Sequence, residues 1–296
     1  MNSYLKKIVD IKDLEERFKV IDKLLNEKII NINLLEDYYI NIAGIDTIMF
    51  VKRYHDKVNI QRFEDAIIES ESSLCIYCFA LEIEGANINR LENALINTKD
   101  FSRMCYFASA SPKANISKLE DAIVQSRDAE YIYYFARDVE KANIPKLEDA
   151  IISTRNSKYI YYFAKDIEGA NIIRLEYVIA RINNPEYIYK FAKDIENIDI
   201  TILEDAIIRS NNPEYIYKFA RDIQSTNISR LEEALLKTQS YRFTYHYLRD
   251  IKGIDIDSFD YITEVSHEEV IDINTINRIE TLYNKPKVKT KQKLTY

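Results

Sequence analysis

Few residues in this chain are of a type and spacing able to do chemistry. Cys75-Ile-Tyr-Cys78 is a CxxC, and Cys105 follows it. Two thiolates at that spacing are half of a tetrahedral zinc site or a redox dithiol; the other half would be a second pair, or histidines at matching distance. Only His55 is near in sequence, and His246 and His267 have no nucleophile or carboxylate at motif spacing. Each cysteine stands in a slot that is filled 28 residues later by Arg or Tyr: Arg103, Tyr106 and Tyr133. Drift among packing side chains accounts for all three. The expectation is a protein with no metal, no cofactor and no catalytic residue, hence not an enzyme.

What remains is the chemistry of recognition. One basic row is Arg137, Lys165, Lys193, Arg221 and Arg249; beside it runs Tyr133, Tyr161, Tyr189, Tyr217 and Tyr245. A third row changes type along the chain, from Cys78 and Tyr106 through Tyr134 and Tyr162 to Lys190, Lys218 and His246. Rows that vary while staying aromatic or cationic suit a recognition surface, because Tyr and Arg carry much of the energy of protein interfaces. The candidate partner-binding residues are Tyr134, Arg137, Tyr162, Lys165, Lys190, Lys193, Lys218, Arg221, His246 and Arg249. Interleaved Tyr and Lys/Arg also suit nucleic acid, where aromatics stack bases and cations hold phosphates. The plainer reading makes the Tyr133-type side chains packing between repeats and pairs the basic row with Asp138, Asp166, Asp194, Asp222 and Asp250, one residue on. A separate row, Arg62, Arg90, Lys118, Lys146, Arg174 and Arg230, is broken by Ile202. Asp65, Asp121 and Asp149 lie three residues beyond its members, so it reads as a solvated face with local pairs.

These rows exist because most of the chain is one segment rewritten. Asn115–Ala142, NISKLEDAIVQSRDAEYIYYFARDVEKA, returns 28 residues later as NIPKLEDAIISTRNSKYIYYFAKDIEGA. The phase holds without insertion through nine units, opening at Asn31, Asn59, Asn87, Asn115, Asn143, Asn171, Asp199, Asn227 and Asp255, with an acid five residues after each. Self-similarity at this period marks a repeat architecture. Each unit reads as two short helices. In the first, Ile116, Leu119 and Ile123 follow helical spacing, and Ser117 with Glu120 fits a capping box. Asn89 with Glu92 and Ser229 with Glu232 fit the same pattern. The second carries Tyr131, Ile132, Phe135, Ala136 and Val139 as its apolar stripe. Two second helices open Asn-Asn-Pro-Glu, at 183–186 and 211–214, with Asn as cap and Pro at the first helical position. The opening Asn of each unit follows a helix end, where a left-handed cap or a bond to the neighbouring turn is expected. Helices this short are unstable alone in water, so stability must come from stacking pair on pair.

With its period and helix-pair pattern, the stretch 31–282 resembles the α-solenoid class, of which HEAT, armadillo and tetratricopeptide arrays are examples with longer periods. The resemblance implies an all-α, right-handed α-solenoid of about nine helix pairs, a curved rod whose groove usually holds a protein segment and sometimes a nucleic acid. Residues 1–30, out of phase, read as an N-terminal helical cap of one or two helices, unit 31–58 as a degenerate repeat interrupted by Gly44, unit 255–282 as the C-terminal cap, and 283–296, rich in lysine, as a basic disordered tail. Four Gly and five Pro in 296 residues leave no flexible linker. The net charge of −7 disfavours indiscriminate nucleic-acid binding. Neither a signal peptide nor a run of about 20 apolar residues is present, so no membrane partner and a cytoplasmic location are expected. Richness in Ile, Asn, Lys and Tyr suits an AT-rich coding sequence, such as that of a bacterium or its phage. A protein partner is the favoured expectation and a nucleic acid the alternative.

Overall fold

The computed structural model describes residues 3–253, which form eighteen α-helices and one 3-10 turn, with no strand among them. Two helices, α1 (Ser3–Val9) and α2 (Leu14–Asn26), precede the repeats, as the phase break predicts. Eight pairs follow. They are α3 and α4 (Ile32–Ile42, Ile45–Arg53), α5 and α6 (Ile60–Glu69, Ser73–Glu82), α7 and α8 (Ile88–Thr98, Phe101–Ala110), and α9 and α10 (Ile116–Ser126, Ala129–Asp138). Then come α11 and α12 (Ile144–Thr154, Ser157–Asp166), α13 and α14 (Ile172–Ile182, Pro185–Asp194), α15 and α16 (Ile200–Ser210, Pro213–Asp222), and α17 and α18 (Ile228–Lys237, Tyr241–Asp250). The expected C-terminal cap and the basic tail lie outside the described residues.

The chain divides into two compact units, Met1–Ala150 and Ile151–Tyr296, with the boundary inside α11. Within each unit, first helices pack on first helices of the next pair and second helices on second, as α5 on α7 and α6 on α8 in one unit, and α13 on α15 and α14 on α16 in the other. The core between these layers is built from the same slots each time. Leu91, Leu119 and Leu147 in one unit, and Leu175, Leu203 and Leu231 in the other, are fully buried, as are Phe79, Phe107, Phe135, Phe191 and Phe219 from the second helices. Small Ala at 136 and 192, also buried, lets neighbouring helices approach between these large groups. The stripe on α10 differs from expectation in one respect: Tyr133 is buried and Tyr131 half-exposed.

The helix starts correct the sequence reading. Ser117 does not cap α9. The cap is Asn115, whose side-chain oxygen accepts the N–H of Lys118 at 3.2 Å. Asn87 and Asn227 likewise cap α7 and α17, displacing Asn89 and Ser229 from that role. Nor is the opening Asn left-handed; Asn115 sits at φ −81°, ψ 88°. The left-handed residue is the first of the two that join the paired helices, Arg127 at φ 55° and Asn211 at φ 52°, because two residues must reverse the chain there. Gly44 interrupts nothing: it caps α4, its N–H donating to Thr47 Oγ1 at 3.2 Å.

Freed from the capping box, the recurrent acid has a different task. Glu64, Glu92, Glu120, Glu176 and Glu204 are buried, 2–3% exposed. Each accepts the backbone N–H of the residue opening the next repeat, at 2.6–2.7 Å for Asn87, Asn115, Asn143, Asp199 and Asn227. A carboxylate placed at the start of the next first helix also meets the positive end of its dipole. This bond fixes the register of stacking.

Candidate functional site

The second helices carry the candidate residues, and each compact unit holds its own share. In Met1–Ala150 these are Tyr134 and Arg137 on α10. Both project because Ile132, Phe135 and Ala136 turn the opposite side of the helix into the core. Arg137 binds its neighbour Asp138 through two nitrogens, at 2.7 and 2.9 Å, and its guanidinium stands 5.4 Å from the Tyr133 ring centre and 4.8 Å from that of Tyr134. The Asp138 bond, then that of Tyr133, raises the Arg137 pKa further above its usual range. Tyr134 donates its hydroxyl to Glu130 at 3.2 Å. Together they line an open pocket of about 390 Å³ with Tyr106, Tyr131 and Cys105. Tyr106 is 60% exposed.

In Ile151–Tyr296 the rows form a hydrogen-bonded lattice between repeats. Tyr161 donates its hydroxyl to Asp194, Tyr189 to Asp222 at 2.5 Å, and Tyr217 to Asp250, each acid 33 residues on. Tyr161, Tyr189 and Tyr217 are therefore packing elements with a polar end, which satisfies their hydroxyls at the edge of the core. The cation four residues after each tyrosine completes the motif. Lys165 donates to the Tyr161 hydroxyl and to Asp194, both at 3.1 Å. Lys193 donates to Tyr189 at 3.2 Å. Arg221 donates to Tyr217 at 3.2 Å and doubly to Asp222 at 2.6 and 2.9 Å. Arg249 holds Asp250 at 2.7 Å.

The expected pairing with the Asp one residue on thus holds for the arginines, whose planar fork reaches sideways to an adjacent carboxylate. It fails for Lys165, whose single ammonium is carried instead to the acid of the next repeat. Asp222, held by Arg221 and next by Tyr189, is pushed down to about 2.

The third row is neutralised locally. Lys190 pairs with Glu186 at 2.6 Å and Lys218 with Glu214 at 2.5 Å, one helical turn back. Each ammonium also stands over a tyrosine, 4.8 Å from Tyr187 and 4.9 Å from Tyr215. Tyr162 packs against the rings of Tyr159 and Tyr161 at 6.2 and 5.2 Å. His246 is set among Tyr217, Phe243 and Tyr245 at 5.5–6.4 Å. The surface is therefore aromatic, with cations that already have acidic or phenolic partners.

The first-helix basic row corrects the sequence reading. Arg62, Arg90, Lys146 and Arg230 do not pair with the Asp of their own helix but reach back one repeat. Arg62 bridges Glu36 and Asp37, Arg90 bridges Glu64 and Asp65, Lys146 bridges Glu120 and Asp121, and Arg230 bridges Glu204 and Asp205, at 2.5–3.0 Å. Where Ile202 breaks the row, Glu176 keeps, among the described residues, only the Asp199 N–H. Burial raises its pKa against the pull of that bond. Tyr177, 54% exposed, stands there in place of the usual acid. The sequence signal for this gap was Ile202 itself; its coincidence with Tyr177 on the preceding repeat needed the structure.

Cys75 and Cys105 are buried and Cys78 half-buried, and none forms a disulfide. Burial, followed by the charge of Asp138, pushes the Cys105 thiol up to about 12. Among the described residues no group of three or more His, Cys, Asp or Glu is placed to hold a metal, and no helix is long and apolar enough to cross a membrane. No protein-family model, no curated protein and no solved structure matches this chain.

Proposed function

We propose that the chain is a non-catalytic binding scaffold that holds a protein partner on the face of its stacked second helices. In this reading the helix pairs belong to one right-handed α-solenoid of about nine repeats, capped at its start by residues 1–30. The observation that carries the choice of partner is the neutralised cation row. Lys165, Lys190, Lys218, Arg221 and Arg249 each have a carboxylate at 2.5–3.1 Å. A phosphate backbone would have to displace those acids before it released any counterion. A protein segment can instead lie on exposed tyrosine edges and exchange hydrogen bonds with pairs already formed, the kind of surface on which a few residues dominate affinity.

The test is affinity capture from native cells with and without nuclease, followed by single Ala changes at Tyr162, Lys190 and Lys218. A nuclease-resistant protein partner lost unequally among the three variants supports the reading. Tight oligonucleotide binding near physiological salt would overturn it, if lost on joint charge reversal of Lys165, Lys193 and Arg221 and with a log–log salt slope of about −0.7 to −0.9 per phosphate. The solenoid itself would fail if small-angle scattering returned the radius of a compact globule of this length, about 19 Å.

A further inference from the structure

In the first helices of Ile151–Tyr296 the array departs from itself, and both halves of an inter-repeat ion pair are replaced together. The acid slot, Asp205 in the following repeat, holds Tyr177; the cation slot, Arg230 in the repeat after, holds Ile202. Tyr177 is 54% exposed, and Ile173, one turn earlier on the same face of α13, is 75% exposed. Core packing does not account for side chains that point outward to this extent.

Tyr177 and Ile202 line an open pocket of about 490 Å³ with Ala180, Arg181, Asp205 and Arg209. Its charges are one-sided. The Asp205 carboxylate is taken by Arg230 at 2.6 Å, and Glu176 beneath is 2% exposed. Arg181 lies over the Tyr177 ring at 5.4 Å, and Arg209 donates to the Ala180 carbonyl at 2.7 Å. Neither guanidinium has a carboxylate partner among the described residues, so two positive charges rim an apolar floor on a chain whose net charge is −7.

We propose that Ile173, Tyr177 and Ile202, rimmed by Arg181 and Arg209, form a second docking surface, for a protein segment that presents an aliphatic side chain beside a carboxylate. The aliphatic group covers Tyr177 and Ile202, and the carboxylate meets the two guanidiniums, whose planar donors fit it bidentately. Aromatic and arginine side chains grouped around a small apolar centre are the composition of an interface core. The surface lies on the first helices and does not depend on the second-helix reading.

The array supplies its own control. Y177D/I202R restores the pair found at Asp65–Arg90 and Asp205–Arg230, so the fold should hold, with a melting temperature no lower than that of the parent. The full chain is panned against a random peptide library on phage, and selected peptides are remeasured by fluorescence anisotropy. The expected result is a consensus with Leu, Ile or Val next to Asp or Glu, bound at least ten-fold more weakly by Y177D/I202R. Ile173→Ser serves the same purpose should the double variant melt early. No enrichment, a consensus lacking acids, or equal binding to parent and variants overturns the proposal. So does sedimentation showing a dimer that Y177D/I202R dissociates, which would give the surface to a second copy. Binding to anionic vesicles abolished by the same variant would give it to a membrane and overturn the proposal equally.

Discussion

Two rungs of the first-helix ladder, one in each compact unit, differ in the two residues of one ion pair. In Met1–Ala150, Glu64 accepts the Asn87 N–H at 2.7 Å and Arg90 at 2.8 Å, and Arg90 passes on to Asp65 at 2.7 Å. In Ile151–Tyr296, Glu176 accepts the Asp199 N–H at 2.7 Å, but Ile202 and Tyr177 occupy the cation and acid slots. Both glutamates are 2% exposed and both backbone bonds have the same length. The carboxylate-to-backbone bond therefore sets the register of stacking, while the cation is an accessory that the fold can lose. A slot released from register is free to diverge, and in this rung it holds the half-buried Ile202, with Tyr177 exposed in the acid slot.

The largest effect should come from the layer the two rungs share. Phe79 and Phe191 fill the same slot beside them and are fully buried. Phe79→Ala and Phe191→Ala should each cost about 3–5 kcal/mol in urea unfolding, because the stacked helices cannot collapse around the lost ring. A loss below about 1 kcal/mol at either site would place the strength of that unit outside its apolar layer.

A smaller effect should separate the rungs. Glu64→Gln leaves an amide facing both the Arg90 guanidinium and the Asn87 N–H, two donors for one good acceptor. A loss of about 1–3 kcal/mol follows from the unmet buried group. Glu176→Gln meets one donor only and removes a buried charge that no cation balances, so its effect should stay within about 1 kcal/mol of zero. Equal losses for the two changes, measured by the same denaturant titration, would show that the cation is not what distinguishes the rungs.

The repeat made much of this legible. Hydrophobic spacing in Leu119, Ile123, Ile132 and Phe135 reports which faces are buried, since burial follows from side-chain type and period alone. The phase break at residue 31 predicts the separate helices α1 and α2. The polar bonds were harder to place. Ser117 and Glu120 have capping-box spacing, yet Asn115 begins the helix and Glu120 reaches Asn143, 23 residues away. Spacing along one helix does not encode a partner on the next. The same limit applies to Lys165, which sequence neighbours would pair with Asp166 but whose ammonium binds Asp194. The candidate rows were visible as rows, whereas their neutralisation by Glu186, Glu214 and Asp222 depends on rotamers that the repeat leaves open.

The smallest effect is the most specific test of the comparison, because its sign depends on pH. Burial raises the Glu176 pKa above the usual carboxylate range in the folded chain. Between the ordinary value and the raised one, the folded state holds a proton that the unfolded state has released, so this group's contribution to stability falls as pH rises through that window. Its full cost stands near pH 7. Ile202→Arg places a guanidinium where Arg90 and Arg230 hold Glu64 and Glu204 at 2.8 and 3.0 Å. The cation lowers the folded pKa and should return a gain of under about 1 kcal/mol near pH 7, limited by solvent around the new side chain. Near about pH 3 Glu176 is protonated in both states, the ion pair is gone, and the gain should vanish or reverse as the lost Ile202 contact shows through. Urea unfolding of parent and variant at the two pH values measures the difference. A gain of the same size at both would mean that the introduced guanidinium stabilises by contact alone, and that the missing cation is not what sets the Glu176 rung apart.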